Sequence, residues 1–137
     1  MNIDDIVEWA ESPAGFYVRD RETRGGRKVP GPILLAEHQR RILRHVFTKD
    51  GDGRFPYDVV VYSCPKKSGK TAIAAMVVLW YAGTQEPPNE IYIVANDFDQ
   101  ASKRGYKAVR WAIDHNPGLS HTARVSDEKA TLSNGTD

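Results

Sequence analysis

Tyr57-Asp58-Val59-Val60-Val61-Tyr62, then Ser63-Cys64-Pro65-Lys66-Lys67-Ser68-Gly69-Lys70-Thr71, then Ala72-Ile73-Ala74-Ala75-Met76-Val77-Val78-Leu79-Trp80, is the stretch that organises this chain. The first part is short, β-branched and aromatic, as a buried parallel strand would be, whereas the last is longer and rich in Ala, Leu and Met, which favour helix. Between them, Gly69-Lys70-Thr71 ends the pattern Gly-x-x-x-x-Gly-Lys-Ser/Thr, with Cys64 standing where its first glycine belongs. In such a loop Gly69 permits the turn that aims backbone N–H groups at phosphate oxygens, and the helix after it adds its positive end. Lys70 is then placed for the β and γ phosphates, and the Thr71 hydroxyl for a Mg²⁺ ion. A Gly-Lys-Thr at a helix start can also be only a polar cap; the flanking strand and helix favour the phosphate loop.

Working outward, the 137 residues predict one domain with a sizeable core. A net charge of +1 does not by itself announce nucleic acid, so any such contact must come from local patches. The single cysteine excludes an internal disulfide framework and a cysteine-rich zinc site, and Cys64 reads as a small buried residue. The N-terminus lacks a basic region followed by an apolar core, and the longest apolar run, Ala72 to Ala82, is too short to span a bilayer. The expectation is a soluble, cytoplasmic protein without a membrane partner.

Ile3, Ile6, Val7 and Ala10 fall at helical spacing, with Asn2 or Asp4 as cap, and Pro13 and Gly15 follow. After Phe16-Tyr17-Val18, residues Arg19 to Lys28 lack periodicity and read as an exposed basic loop. Its arginines suit a phosphate backbone, but solvated charge is the preferred reading. Residues 1–30 thus form an N-terminal helix and basic loop ahead of the phosphate-loop region at 31–137.

Pro30-Gly31-Pro32 reads as a breaker and Glu37 to Phe47 as a helix, with Ile42, Leu43, Val46 and Phe47 on one side. Gln39 carries a donor and an acceptor that match the N6 and N7 edge of adenine; the alternative is a solvent-facing glutamine. Asp50-Gly51-Asp52-Gly53 lacks the further ligands of a calcium loop and reads as a turn. Gly83 is expected to stop the central helix, and Ile91 to Ala95 to form a second buried strand, giving a right-handed βαβ unit with a parallel sheet. A further helix follows, capped by Asn96 or Asp97 and closed by Asn116-Pro117-Gly118, with Lys103, Arg104, Lys107 and Arg110 on its polar side. Solubility explains that basic side as well as nucleic acid does. Two short strands, Thr122 to Ser126 and Ala130 to Ser133, and a turn at Asn134-Gly135 end the chain. The four histidines show no metal-ligand spacing.

Gly31 to about Leu119 resembles the N-terminal ATPase domain of the large terminase subunit of tailed bacteriophages. Three blocks carry the likeness: Gly31-Pro32-Ile33-Leu34-Leu35 through Gln39, Pro65-Lys66-Lys67-Ser68-Gly69-Lys70-Thr71, and Ile91 to Ala101 with Asp97 and Gln100. The resemblance implies a P-loop NTPase fold of the RecA/ASCE type, three layers αβα around a parallel central sheet, here incomplete. It implies that Gln39 holds adenine, that the Pro65 to Thr71 loop holds ATP, and that Thr71 holds Mg²⁺. Lys66 stands where the family usually has an arginine, and keeps its charge without the forked geometry. With Lys70 it is the candidate catalytic residue. Double-stranded DNA, a small terminase subunit, a portal protein and further copies in a motor are the implied partners, in the cytoplasm of a bacterial host. The family's Walker B aspartate, catalytic glutamate and nuclease domain have no counterpart here, since Asp127-Glu128 follows no apolar run. The chain is expected to be a fragment or a truncated product that binds nucleotide and hydrolyses it slowly or not at all. The competing readings are a superfamily 2 helicase-like or other P-loop ATPase, and a non-catalytic nucleotide-binding or assembly module.

Overall fold

A computed structural model describes residues 3–22, 26–63, 70–85, 89–94, 97, 105–126 and 129–137. It is a mixed α/β chain in which helices supply most of the core, and the described residues include two small antiparallel sheets.

Helix α1, Ile6–Glu11, buries Ile6, Val7 and Ala10. Its cap is Asp5 rather than Asn2 or Asp4: the Asp5 carboxylate accepts from the Val7 and Glu8 N–H groups at 3.0 and 3.1 Å, satisfying donors that the first turn leaves unpaired. Close behind, Gly15 passes so near the end of α1 that a Cβ there would sit 2.1 Å from the Trp9 carbonyl oxygen.

The expected basic loop is instead a hairpin. Strands β1, Tyr17–Glu22, and β2, Lys28–Pro32, pair antiparallel, with Val18 opposite Gly31 and Arg21 opposite Val29. Between those pairs Arg19 and Asp20 together face Pro30 alone, a bulge at the residue that has no N–H to give a ladder. Pro30-Gly31-Pro32 therefore belongs to a strand. Charge hid the hairpin, since one exposed face tolerates arginines freely.

Helix α2 spans Glu37–Phe47, as its spacing predicts, and buries Leu43 and Val46. The Asp50 carboxylate accepts from the Asp52 and Arg54 N–H groups, and Gly53 has φ 75°, so this segment is the expected turn. Helix α3, Lys70–Thr84, runs through Gly83, which lies exposed within it instead of ending it. Helix α4, Lys107–His115, buries Val109, Ala112 and Ile113.

Ile6, Phe16, Leu43, Met76, Trp80 and Ile113 belong to one contiguous core reaching from α1 to Leu132. Trp80 is 2% exposed and its indole N–H donates to the Ile3 carbonyl at 2.9 Å, while Phe47 and Phe55 meet its ring edge to face. Asn116, buried after α4, donates to the carbonyls of Ala14 and Gly15 at 2.7 Å each and accepts from the Gly118 and Leu119 N–H groups. One amide thus ties the α1–β1 turn to the end of α4.

The two strands expected at 57–62 and 91–95 are where the structure departs from the βαβ reading. Among the described residues every strand pair is antiparallel, β1 with β2 and β3, Arg124–Val125, with β4, Ala130–Thr131; no parallel pairing joins 57–63 to 89–94. Val59 and Val61 are 79% and 88% exposed, and Tyr92 and Val94 are 77% and 87% exposed. β-propensity records how well a side chain suits a packed, pleated surface, and among the described residues neither segment is paired into a sheet that would supply one. Ile91 and Ile93 do pack on the core, and a Cβ on Gly105 would lie 2.9 Å from Ile93 Cγ2. Asp137 donates its N–H to Asn89 O and accepts from the Ile91 N–H at its own carbonyl. Hydrogen bonds from Thr131 Oγ1 and from Lys129 hold the Asp137 carboxyl below its ordinary pKa. Ala95, Asn96 and residues 98–104, with the expected start of the last long helix, lie outside the described residues.

Candidate functional site

Helix α2 offers Gln39, Ile42, Leu43, Val46 and Phe47, and α3 offers Lys70, Ile73, Ala74 and Val77, to one groove of about 390 Å³. Each set follows the i, i+3, i+4, i+7 spacing of a single helix face, so two stripes confront one another. Val60 and Tyr62 contribute from the segment 57–62. A hydrogen bond of 2.7 Å between His45 Nε2 and the Tyr57 hydroxyl fastens the start of that segment to α2.

Of the residues singled out in the sequence, the groove joins Gln39 and Lys70, which are 31 positions apart. Lys70 is the first residue of α3 and is exposed; Thr71 follows it, also exposed. Pro65, Lys66, Lys67, Ser68 and Gly69 lie outside the described residues, as does Cys64.

Gln39 is held in place locally. Its side-chain oxygen accepts from the Ala36 N–H at 2.8 Å, the return half of a capping box whose other half alanine has no side-chain atom to make. The next residue, Arg40, reaches back to α1: its Nε and Nη2 donate to the two Glu11 oxygens at 2.9 and 2.8 Å. That forked contact raises the Arg40 pKa above its ordinary value, with Glu37 adding to the effect. One turn on, Arg44 Nε lies 3.2 Å from Asp5. The side of α2 away from the groove is thereby tied to α1.

Phe47 also borders a second cavity of about 340 Å³ between α1 and the C-terminal ends of α2 and α3, walled by Phe55 and Trp80 and edged by Asp4, Asp5, Arg44 and Lys49. That cavity is rimmed by charge, whereas the groove is chiefly apolar, with Gln39, Tyr62 and Lys70 as its polar lining residues.

In the sequence Ile42 and Val46 read only as residues of a helix side, Val77 only as part of the apolar run after the Gly-Lys-Thr, and Val60 and Tyr62 only as a strand. The usable signal was the shared spacing with Gln39 on α2 and with Lys70 on α3. Comparison with protein-family models, with curated proteins and with solved structures finds no match to this chain.

The groove's size falls within the range of small-molecule sites. Its walls suit a flat apolar ring, the Gln39 amide can pair with a ring edge that carries both donor and acceptor, and Lys70 supplies a cation for an anionic group. Among the described residues no group of three His, Cys, Asp or Glu could hold a metal ion, and no helix is long and apolar enough to cross a membrane.

Proposed function

We propose that this chain is the nucleotide-binding part of a P-loop ATPase related to the large terminase subunit of tailed bacteriophages, the motor that drives double-stranded DNA into a procapsid. The observation that carries the reading is the meeting of Gln39 and Lys70 at one apolar groove. The residue read as an adenine ligand and the residue read as a phosphate ligand lie on different helices, yet they border the same space.

ATP fits this donor set: the purine lies between the α2 and α3 stripes, Gln39 pairs with its edge, and Lys70 draws the phosphates toward the start of α3. Mg²⁺ bound to the phosphates would supply charge neutralisation, with the Thr71 hydroxyl as the chain's own ligand to it. Lys66 or Lys67 would set positive charge against the negative charge that develops on the phosphoryl oxygens in the transition state; removing one such preorganised donor costs about 3 kcal/mol. No carboxylate lines the groove among the described residues, so no described carboxylate there is available to activate an attacking water. The proposal therefore predicts binding with little or no turnover by these 137 residues.

Titration calorimetry with Mg-ATP tests it. Lys70→Ala is expected to weaken binding by roughly tenfold or more, the effect of removing one charge-assisted hydrogen bond, and Gln39→Ala to erase the preference for ATP over GTP. Equal affinity of wild type and Lys70→Ala would end the phosphate-loop reading. Family-like turnover would overturn the expectation of slow hydrolysis.

A further inference from the structure

The structure joins two basic stretches that look unrelated in the sequence. Helix α4 turns Val109, Ala112 and Ile113 inward, so that Lys107, Arg110, Trp111, Asp114 and His115 share its opposite face. Strand β1 packs against α4. It brings the Arg19 guanidinium to 5.8 Å from the centre of the Trp111 ring. His115 stacks on the same indole, with ring centres 3.7 Å apart and planes 13° from parallel. The His115 Nδ1–H donates to the Trp111 carbonyl at 2.8 Å, a bond that fixes the imidazole over the indole because the carbonyl can only accept.

Charge is uneven between this side and the remainder. Among the described residues, hairpin and helix face together carry Arg19, Arg21, Arg27, Lys28, Lys107 and Arg110 against Asp20, Glu22 and Asp114, a net +3 on a chain whose total is +1. None of the large exposed apolar side chains among the described residues falls on this hairpin or this helix. A lipid surface would call for such side chains beside the cations. A fixed aromatic stack among cations instead suits a strand whose phosphates are negative and whose bases offer flat faces.

We propose that the β1–α4 face binds single-stranded nucleic acid, with Arg19, Lys107 and Arg110 meeting phosphates and the exposed His115 ring, backed by Trp111, receiving an unpaired base. This site is separate from the α2–α3 groove and stands whether or not that groove binds ATP.

Fluorescence anisotropy of a labelled 15-nucleotide oligo-dT, a matched duplex and phosphatidylserine vesicles, each titrated with the whole chain at several salt concentrations, tests the proposal. Oligo-dT is expected to bind more tightly than duplex or vesicles. Lys107→Ala with Arg110→Ala should make the salt dependence shallower by about 0.7 for each phosphate that is no longer neutralised. His115→Ala, an exposed change that circular dichroism can check for folding, should weaken oligo-dT binding roughly tenfold without altering that slope. Mg-ATP affinity, measured on the same samples, should not change. The proposal is overturned if oligo-dT does not bind, if duplex or vesicles bind better, or if the folded His115→Ala protein binds as wild type does.

Discussion

The two sides of α2 are built in opposite ways. Toward α1 the helix is fastened by directed charge, Arg40 on Glu11 and Arg44 on Asp5. Toward α3 and residues 57–62 it presents an apolar stripe that is only partly covered, with Ile42 still 39% exposed. The first side fixes where the helix lies; the second leaves surface for something else to cover. An element tied from behind can keep an open face without swinging shut over it.

The largest test of that contrast is Leu43→Ala. Leu43 is 3% exposed and belongs both to the core and to the groove wall. Its truncation should cost about 2–5 kcal/mol of stability in a denaturant titration. A loss below about 1 kcal/mol would mean that the stripe is not packed as described.

Glu11→Gln probes the fastened side. The pair is partly exposed, so global stability should move little. The expected effect is selective: the preference for ATP over GTP falls while affinity for inorganic tripolyphosphate stays constant, because Gln39 loses its fixed neighbour Arg40 and Lys70 does not. If both ligands weaken equally, Glu11 supports the fold in general and has no particular role in placing Gln39.

The smallest effect is expected at Val61, which is 88% exposed. Val61→Ser should alter stability by no more than about 0.5 kcal/mol, the ordinary range for a surface change. A loss comparable to that of Leu43→Ala would show that 57–62 is packed as the strand its composition suggests.

Such a result bears on what the residues alone disclosed. Helix α2 was legible to the residue, because a mixed apolar and charged pattern at 3.6 spacing has one reading. Composition at 57–62 and 91–95 states an appetite for burial, yet a strand exists only by pairing, and the partner is not encoded in the segment itself. The β1–β2 hairpin failed in the reverse direction: arginines masked the strands, and Pro30, normally a reason to reject one, sits at the bulge. Gln39 and Lys70 were each identified by residue type and motif. That they share a groove required the placing of α2 and α3 against α1 and around a common space, which depends on contacts far apart in sequence.

Asn116 sets a timing for the chain. The carbonyls of Ala14 and Gly15 find their buried donor 102 and 101 residues later. At ordinary synthesis speeds of about 5–20 residues per second, those groups emerge roughly 5–20 s before the amide that satisfies them. During that interval the α1–β1 turn must rely on water, on its own backbone bonds from Gly15 N–H to Ser12 O and from Phe16 N–H to Ala10 O, and on whatever chaperone attends it. The native turn is locked only once the end of α4 arrives.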